Sequence, residues 1–502
     1  MKPIRKLLVA NRGEIAVRVI RAARARGIRA VAVYSDVDRA SLHVRMADEA
    51  YAIGPAPSTE SYLRIEKLLD VARRSGADAV HPGYGFLAEN DAFADACEAA
   101  GLVFVGPPGA SMRAVGDKVS ARKLAQSIGV PTVPGSAPLA SEEEALAEAR
   151  RIGYPVMIKA SRGGGGKGMR LVHGEEDLGQ ALRLSRGESS AAFGSDEIYL
   201  ERGLDRPRHV EVQVLADREG NAVYLGEREC SIQRRHQKLV EETPCTALDA
   251  AGRRALGEAA VRIIRASEYV NAGTVEFMLD RDGSFYFLEV NARLQVEHPI
   301  TEMVTGIDIV QEQLRIAAGE PLGYGQDAVA PRGHAIECRI AAEDPEHQFL
   351  PSTGKILRAR LPEGPGVRND AGIYVGWTVP PHYDSLLSKL VTWGRDREEA
   401  RRRMRAALEE YLLFGVKTNI PLHRWILDHP EFVKGETHTG FLADHFPGRL
   451  DDPPASVRLV AAVAAAIAAL ENERRTAAAP ARDGASPWKM AGRPGARQRG
   501  RK

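Results

Sequence analysis

Between Phe285 and Thr301 an apolar run carries a charged or amide group at every second position, reading Phe-Tyr-Phe-Leu-Glu-Val-Asn-Ala-Arg-Leu-Gln-Val-Glu-His-Pro-Ile-Thr. Side chains alternate faces along an extended strand, so the pattern predicts Glu289, Asn291 and Arg293 on one face and Leu288, Val290 and Leu294 on the other. The segment before it, Thr274 to Leu279 followed by Asp280-Arg281-Asp282-Gly283, reads as a partner strand and a turn, with Asp282-Gly283 at the centre of a two-residue hairpin. The pairs 281/284 and 280/285 then bring Glu276 directly opposite Glu289. Two carboxylates whose Cβ atoms lie about 5 Å apart repel, so the pair calls for a cation between them, and hard carboxylate and amide oxygens suit magnesium. The inference rests on the turn, because a one-residue slip sends one glutamate to the other face. An exposed hairpin with solvated charges is the competing reading.

Other segments add groups of the same kind. Val156 to Ala160 reads as a strand carrying Lys159 and runs into Ser161-Arg162-Gly163-Gly164-Gly165-Gly166-Lys167-Gly168-Met169. Successive glycines expose backbone N–H groups and let a loop fold over an anion, which predicts a phosphate cover; a flexible linker is the plainer alternative. It is not a Walker A loop, since serine stands at 161 and Lys167 is followed by Gly168. His209-Val210-Glu211-Val212-Gln213-Val214-Leu215 alternates cleanly, with His209, Glu211 and Gln213 on a polar face that solvent alone would satisfy. Cys230 to Lys238 packs Gln233, Arg234, Arg235, His236, Gln237 and Lys238 into nine residues, as an anionic ligand requires, although a basic run by itself is more often a solvated loop. Gly333 to Ile340 puts Ala335, Glu337 and Arg339 on one face.

The elements that must hold these groups follow from pattern. Lys6–Ala10 as a strand, Glu14–Arg26 as a helix closed by Gly27, and Ala30–Tyr34 as a second strand make a βαβ unit. Its first turn lacks the spaced glycines of a dinucleotide site. His81-Pro82-Gly83-Tyr84-Gly85-Phe86 follows a strand over 77–80, at the strand end where α/β sheets place ligands. Residues 331–447 change character, with short strands at 356–361, 373–378 and 388–393 and an amphipathic helix over 398–413. Beyond Pro453-Pro454, Val460, Val463, Ile467 and Leu470 predict one amphipathic helix whose twelve-residue apolar run is short of the ~20 a bilayer needs. The end of the chain, from Ala477, has the composition of a disordered tail.

A length of 502 residues implies about three domains. With 69 basic against 67 acidic residues, composition gives no reason to expect nucleic acid or a membrane as partner. Four scattered cysteines without CxxC spacing point to a reduced, cytoplasmic protein rather than a zinc or disulfide framework. The apolar run Leu7 to Ala10 is too short for a signal peptide.

These stretches, taken in order with Ala10 to Ala16, His81 to Asn90, Gly116-Asp117-Lys118, Arg208 to Glu211 and Glu337-Cys338-Arg339, resemble the biotin carboxylases of the ATP-grasp superfamily from Leu7 to about Phe446. The resemblance implies an α/β and α+β multidomain fold: a Rossmann-like N-terminal domain over 1–115, an ATP-grasp domain over 116–330 with a mobile lid at about 132–204, and an α+β C-terminal domain over 331–447, leaving 448–502 as helix and basic tail. It implies ATP contacts at Lys118, Lys159, Gly164, Gly165, Gly166, Lys167, Glu201, Leu204, His209, Gln233, His236, Glu276 and Glu289, and magnesium or manganese on Glu276, Glu289 and Asn291. Lys238, Arg293, Gln295 and Val296 would surround bicarbonate, Glu297 would deprotonate it, Arg339 would stabilise the biotin enolate, and Tyr84 would lie near the biotin entrance.

The implied reaction is carboxylation of biotin N1 through carboxyphosphate, giving ADP and phosphate. The biotin is expected on a separate biotin carboxyl carrier protein, with a separate carboxyltransferase and a homodimeric enzyme. Acetyl-CoA carboxylase, hence malonyl-CoA and fatty acid synthesis, is the first expectation for the parent system, with propionyl-CoA, another acyl-CoA or pyruvate as alternatives. Another ATP-grasp ligase, such as a carbamoyl-phosphate synthetase half, and a catalytically silent scaffold are the readings outside the carboxylases. The chain departs from the family pattern at Arg162, Arg202-Gly203 and Ala292, and none of these removes a proposed catalytic group.

Overall fold

The computed structural model describes residues 3–161, 169–235 and 237–450, together with 463, 465–467, 469 and 470; for Lys118 and Phe193 it describes the backbone alone. The chain divides into two compact units, Met1–Arg449 and Leu450–Lys502. In the second, the described residues from Val463 to Leu470 are helical and expose Val463, Ile467 and Leu470 by 51%, 53% and 58%. The expected Val460 and the tail from Ala477 lie outside the described residues. No described helix is long and apolar enough to cross a membrane.

The first strands, β1 (Lys6–Val9), β2 (Arg29–Ser35), β3 (Glu49–Gly54), β4 (Ala79–His81) and β5 (Val103–Phe104), form an all-parallel sheet in the order β3-β2-β1-β4-β5. Helix α1 (Gly13–Ala25) crosses between β1 and β2; Ile15, Ala16, Val19, Ile20 and Ala23 recur at three-four spacing and pack on Leu7 and Val9. The strand expected at 77–80 starts later, because the Asp78 carboxylate accepts from the backbone of Arg5 and Lys6 and β4 registers on β1 only from Ala79. This sets His81 at the strand end, where it accepts from Gly83 N–H; Gly83, at φ +66°, makes the turn that presents Tyr84.

A three-stranded sheet follows, in the order β7-β6-β8, from β6 (Val156–Ala160), β7 (Arg170–Val172) and β8 (Ile198–Arg202). Its buried face is Val156, Ile158, Ile198 and Leu200. The glycine loop between β6 and β7, with Gly164, Gly165, Gly166 and Lys167, lies outside the described residues.

The site is carried by an eight-stranded antiparallel sheet. Its order is β13 (Phe285–Asn291), β12 (Asn271–Leu279), β9 (Arg208–Ala216), β10 (Ala222–Arg234), β11 (Gln237–Thr243), β14 (His334–Ala341), then strands Leu386–Gly394 and Val367–Ala371. In β9, Val210, Val212 and Val214 join the core, yet His209, Glu211 and Gln213 on the other face are buried too. Solvent therefore does not satisfy that face, and its polar groups must find partners inside the protein.

The β12–β13 hairpin corrects the expected turn and keeps its consequence. Asp280 N–H donates to Ser284 O and Gly283, at φ +84°, donates to Asp280 O, giving a three-residue loop rather than a two-residue one. Leu279, Met278 and Phe277 pair with Phe285, Tyr286 and Phe287; the register then shifts, and Glu276, Val275 and Thr274 pair with Glu289, Val290 and Asn291. Leu288 is the inserted residue of a bulge, which cancels the longer loop. Leu288 is consequently half-buried and outside the core expected for it, and Phe285, Phe287 and Val290 share the apolar face instead. The strand ends at Asn291, so Arg293 belongs to the loop leading to helix His298–Thr305.

Two expected strands are also shorter. Of 356–361 only Arg358–Arg360 is extended, and 373–378 is mainly a turn closed by Trp377 N–H on Tyr374 O, the strand having run earlier at Val367–Ala371. The helix expected at 398–413 is Arg397–Glu410, capped by the Asp396 side chain, and Leu412–Phe414 leaves it to pair with Arg358–Arg360.

Candidate active site

Strand register builds the site before any side-chain detail. Arg228 on β10, Glu211 on β9, Glu276 on β12 and Glu289 on β13 lie directly opposite one another in a row across the sheet. Three carboxyl groups in line with one guanidinium need more positive charge. Lys238, on β11, supplies it: its Nζ donates to Glu211 at 2.5 Å, to Glu276 at 3.0 Å and to Glu297 at 2.8 Å. Arg228, fully buried, donates to Glu211 at 2.5 Å and also to Gln213, Thr274 and Thr301. His209 bonds the other oxygen of Glu276 at 3.0 Å.

Glu297 precedes helix His298–Thr305 and is fully buried. Its Oε1 meets Lys238 and its Oε2 accepts from Arg339 Nη2 at 3.0 Å, while Arg339 Nε donates to Glu241 at 2.6 Å. Burial raises the proton affinity of Glu297, but Lys238, Arg339 and Arg228 outweigh it and hold the carboxyl well below the usual carboxylate range. Glu276 is likewise pushed up by burial and held well below that range by Lys238 and His209. Lys238 is held well above the ordinary lysine value, because Glu211, Glu276 and Glu297 overcome its desolvation. Glu211 is shifted upward, as its burial outweighs Arg228 and Lys238. The centre is thus a buried array of fixed charges, in which the ionised Glu297 is wedged between two cations.

Arg293 lies beside it. Its guanidinium donates to Glu89 at 3.0 Å, to Gln295 Oε1 at 2.9 Å and to Asn291 Oδ1 at 2.9 Å; Gln295 in turn reaches Glu276 at 3.4 Å. The Val296 carbonyl accepts from Lys389 Nζ at 2.8 Å. Lys389 is fully buried and lies 3.3 Å from Glu14, to which Tyr84 Oη donates, so Tyr84 is tied to the loop that carries Val296 through Glu14 and Lys389.

The residues expected to contact ATP are only partly gathered. Lys159 pairs with Glu201, which also takes Arg122. Gln233 is buried opposite Lys238, and Leu204 is half-buried after β8. Lys118 opens the helix Lys118–Ser127, which Asp117 caps. His236, like Gly164, Gly165, Gly166 and Lys167, lies outside the described residues. The expected metal set, Glu276, Glu289 and Asn291, is adjacent in register, but the described groups whose ligating atoms lie within 4.8 Å of one another are His209–Glu211–Glu276 and Glu211–Cys230–Glu297. Those groups are of His, Cys, Asp and Glu alone; in the expected set Glu276 bonds the Lys238 ammonium and Asn291 Oδ1 accepts from Arg293. Arg228, Glu241, Lys389 and Glu14 were missed by sequence reasoning; the signal available for Arg228 was a charged run, Glu227-Arg228-Glu229, inside a strand of otherwise buried pattern.

Comparison with known proteins places this geometry. Residues 3–112 match the biotin carboxylase N-terminal domain, 117–324 the carbamoyl-phosphate synthase L chain ATP-binding domain, and 337–444 the biotin carboxylase C-terminal domain. The chain is 52% identical over 445 residues to a pyruvate carboxylase subunit of Methanothermobacter thermautotrophicus, covering 88% of this chain and 90% of that one. It is 52% identical over 441 residues to the biotin carboxylase of Pseudomonas aeruginosa, covering 88% and 98%. The solved biotin carboxylase domain dimer of Hydrogenobacter thermophilus 2-oxoglutarate carboxylase, in complex with MgADP, ADP and bicarbonate, superposes with a TM-score of 0.85 at 46% identity, covering 90% and 100%. Fold and site define an ATP-dependent ligase of three-domain architecture. The chain belongs to the biotin carboxylase family, and its reaction is the biotin carboxylation half-reaction.

Proposed function

We propose that Glu297 deprotonates bicarbonate, that Lys238, Arg293, Gln295 and Val296 hold it, and that Arg339 stabilises the enolate of biotin. The observation that carries this reading is Glu297 itself, buried and shared between Lys238 at 2.8 Å and Arg339 at 3.0 Å. In that pairing it is ionised and a weak base. An incoming anion competes for both cations, and as they turn to the substrate Glu297 gains proton affinity where the proton must be taken. Bicarbonate oxygen then attacks the γ-phosphorus of ATP, forming carboxyphosphate and ADP. Carboxyphosphate splits to carbon dioxide and phosphate, the phosphate takes the proton of biotin N1, and the enolate attacks carbon dioxide. Arg339, fixed at its Nε edge by Glu241, keeps its Nη edge for that developing charge.

Nucleotide binding is assigned to Lys118, Lys159, Gly164, Gly165, Gly166, Lys167, Glu201, Leu204, His209, Gln233 and His236, with the segment 132–204 of the 116–330 domain closing as a lid. For this, Lys159 must leave Glu201 for phosphate. The hard oxygens of Glu276, Glu289 and Asn291 suit magnesium or manganese, and the half-buried Glu289 leaves a side open to the phosphates. Such an ion supplies charge neutralisation during phosphoryl transfer.

The biotin is carried by a separate carrier protein, and the enzyme works as a cytoplasmic homodimer beside a carboxyltransferase. The dimer reading is supported by the relative solved as a dimer. Acetyl-CoA is the first choice of acceptor; the 52% identity to a pyruvate carboxylase subunit supports pyruvate as the second. Phosphate release from magnesium-ATP and bicarbonate, with and without free biotin, tests the reading: stimulation by biotin is expected, and turnover indifferent to biotin would overturn it.

A further inference from the structure

The β11–β14 pairing sets Glu241 directly opposite Glu337, and both side chains are fully buried. Glu241 Oε1 is held by Arg339 Nε at 2.6 Å. Glu241 Oε2 and both oxygens of Glu337 accept no hydrogen bond from any described residue. Two ionised carboxyls cannot face each other in a dry interior, because they repel and each bears a desolvation cost that no donor offsets. A single proton resolves both difficulties, since a protonated Glu337 becomes the donor that Glu241 lacks, and the one remaining charge lies on the group that grips Arg339.

We propose that Glu241 and Glu337 share one proton and act as positioning residues for Arg339, fixing its Nε edge so that its Nη edge stays on Glu297 and the reacting biotin. The proposal rests on the role given above to Arg339. The surrounding charges agree with it. Glu337 is pushed well above the usual carboxyl range by burial and by Glu241, with Lys389 and Arg339 opposing and Glu297 adding to the rise. Glu241 is pushed up to about 7 by burial against the pull of Arg339, with Glu297 raising and Lys238 lowering it. Lys389 lies across from Arg339 on strand Leu386–Gly394, and His298, on the helix packed against this sheet, is kept neutral by burial. Loss of the shared proton as pH rises puts a second negative charge beside Arg339 and draws it from Glu297.

The test is the pH profile of biotin-dependent kcat for wild type and Glu337→Gln. Glutamine keeps the hydrogen bond and has no proton to lose, so the alkaline limb should move upward by about one pH unit or more. Glu241→Gln, which weakens the grip on Arg339, should lower kcat by roughly 10-fold or more while leaving KM for ATP within about twofold. Superimposable profiles for wild type and Glu337→Gln would overturn the proposal, as would loss of turnover at every pH in a folded Glu337→Gln. Should that variant not fold, infrared spectroscopy of the wild type decides: a protonated carboxylic acid at neutral pH, titrating with the alkaline limb, is expected, and its absence sinks the shared proton. A wild type without biotin-dependent turnover would instead strike the assignment of Arg339, while the infrared measurement would still read the proton.

Discussion

Lys238 and Arg228 show how much of the site is decided by single side chains. Each lies among buried carboxylates, and each bonds several of their oxygens or neighbouring polar groups at 2.5–3.1 Å. Removing one partner of such a set strands the others without water or cation. Arg228→Met should therefore cost about 3–5 kcal/mol of stability, read as a fall in the denaturation midpoint; a loss below 1 kcal/mol would mean that the row of acids is satisfied otherwise. The shifted carboxyls also give stability a pH dependence of opposite signs. Glu276 and Glu297 are held below the ordinary value of 4.5, so what they contribute is present above it and is lost as pH falls through their folded values. The Glu241–Glu337 pair is raised, so what it contributes is present below 4.5 and declines as pH rises through its folded values. Thermal melts of Glu241→Gln should accordingly be flatter than wild type between pH 4.5 and about 7; an unchanged slope would remove Glu241 as the source.

At the scale of elements the β12–β13 hairpin is the decisive piece, because its register aligns Glu276 with Glu289. The alternation of charged and apolar residues made that alignment legible, and the Asp-Gly turn made it derivable. The loop length and the bulge were not, because a three-residue loop plus one inserted residue restores the pairing of a two-residue loop with none. Inserting one further residue after Leu288 shifts the pairing by one and turns Glu289 to the apolar face. The expected result is a KM for magnesium-ATP raised by roughly 10-fold or more with a rise of about 1 kcal/mol or more in the cost of folding; an unaltered KM would show that Glu289 does not serve the nucleotide. The face of β9 was legible as polar but not as buried, since alternation says which side chains share a face and not what covers it. Glu211 therefore looked solvated in the sequence and stands in the structure as a ligand of Lys238 and Arg228. The tie from Tyr84 through Glu14 and Lys389 to Val296 joins residues far apart in sequence, from position 14 to position 389, and no local pattern could announce it.

For the whole molecule, that tie means the first helix, the loop from Arg293 to Glu297 and the last strands of the large sheet are fastened at one buried lysine. Lys389→Met should disturb the loop at a distance, raising KM for bicarbonate by roughly 10-fold with far less effect on KM for ATP; equal changes in both would point to general loss of structure. Leu450–Lys502 forms a unit of its own, and every site group named here precedes it. A protein ending at Arg449 should keep its turnover with free biotin within about twofold, since every proposed site residue is retained, and a collapse of that activity would assign the segment to the enzyme's core. The central claim is that Glu297 is the base in a biotin carboxylation driven by ATP. Its most direct measurement is incorporation of labelled bicarbonate into free biotin by wild type and Glu297→Gln at saturating magnesium-ATP. Label transfer by wild type, reduced by roughly 10²–10⁴-fold in the variant with KM for ATP little changed, is the predicted result; a variant that labels biotin at the wild-type rate would contradict it.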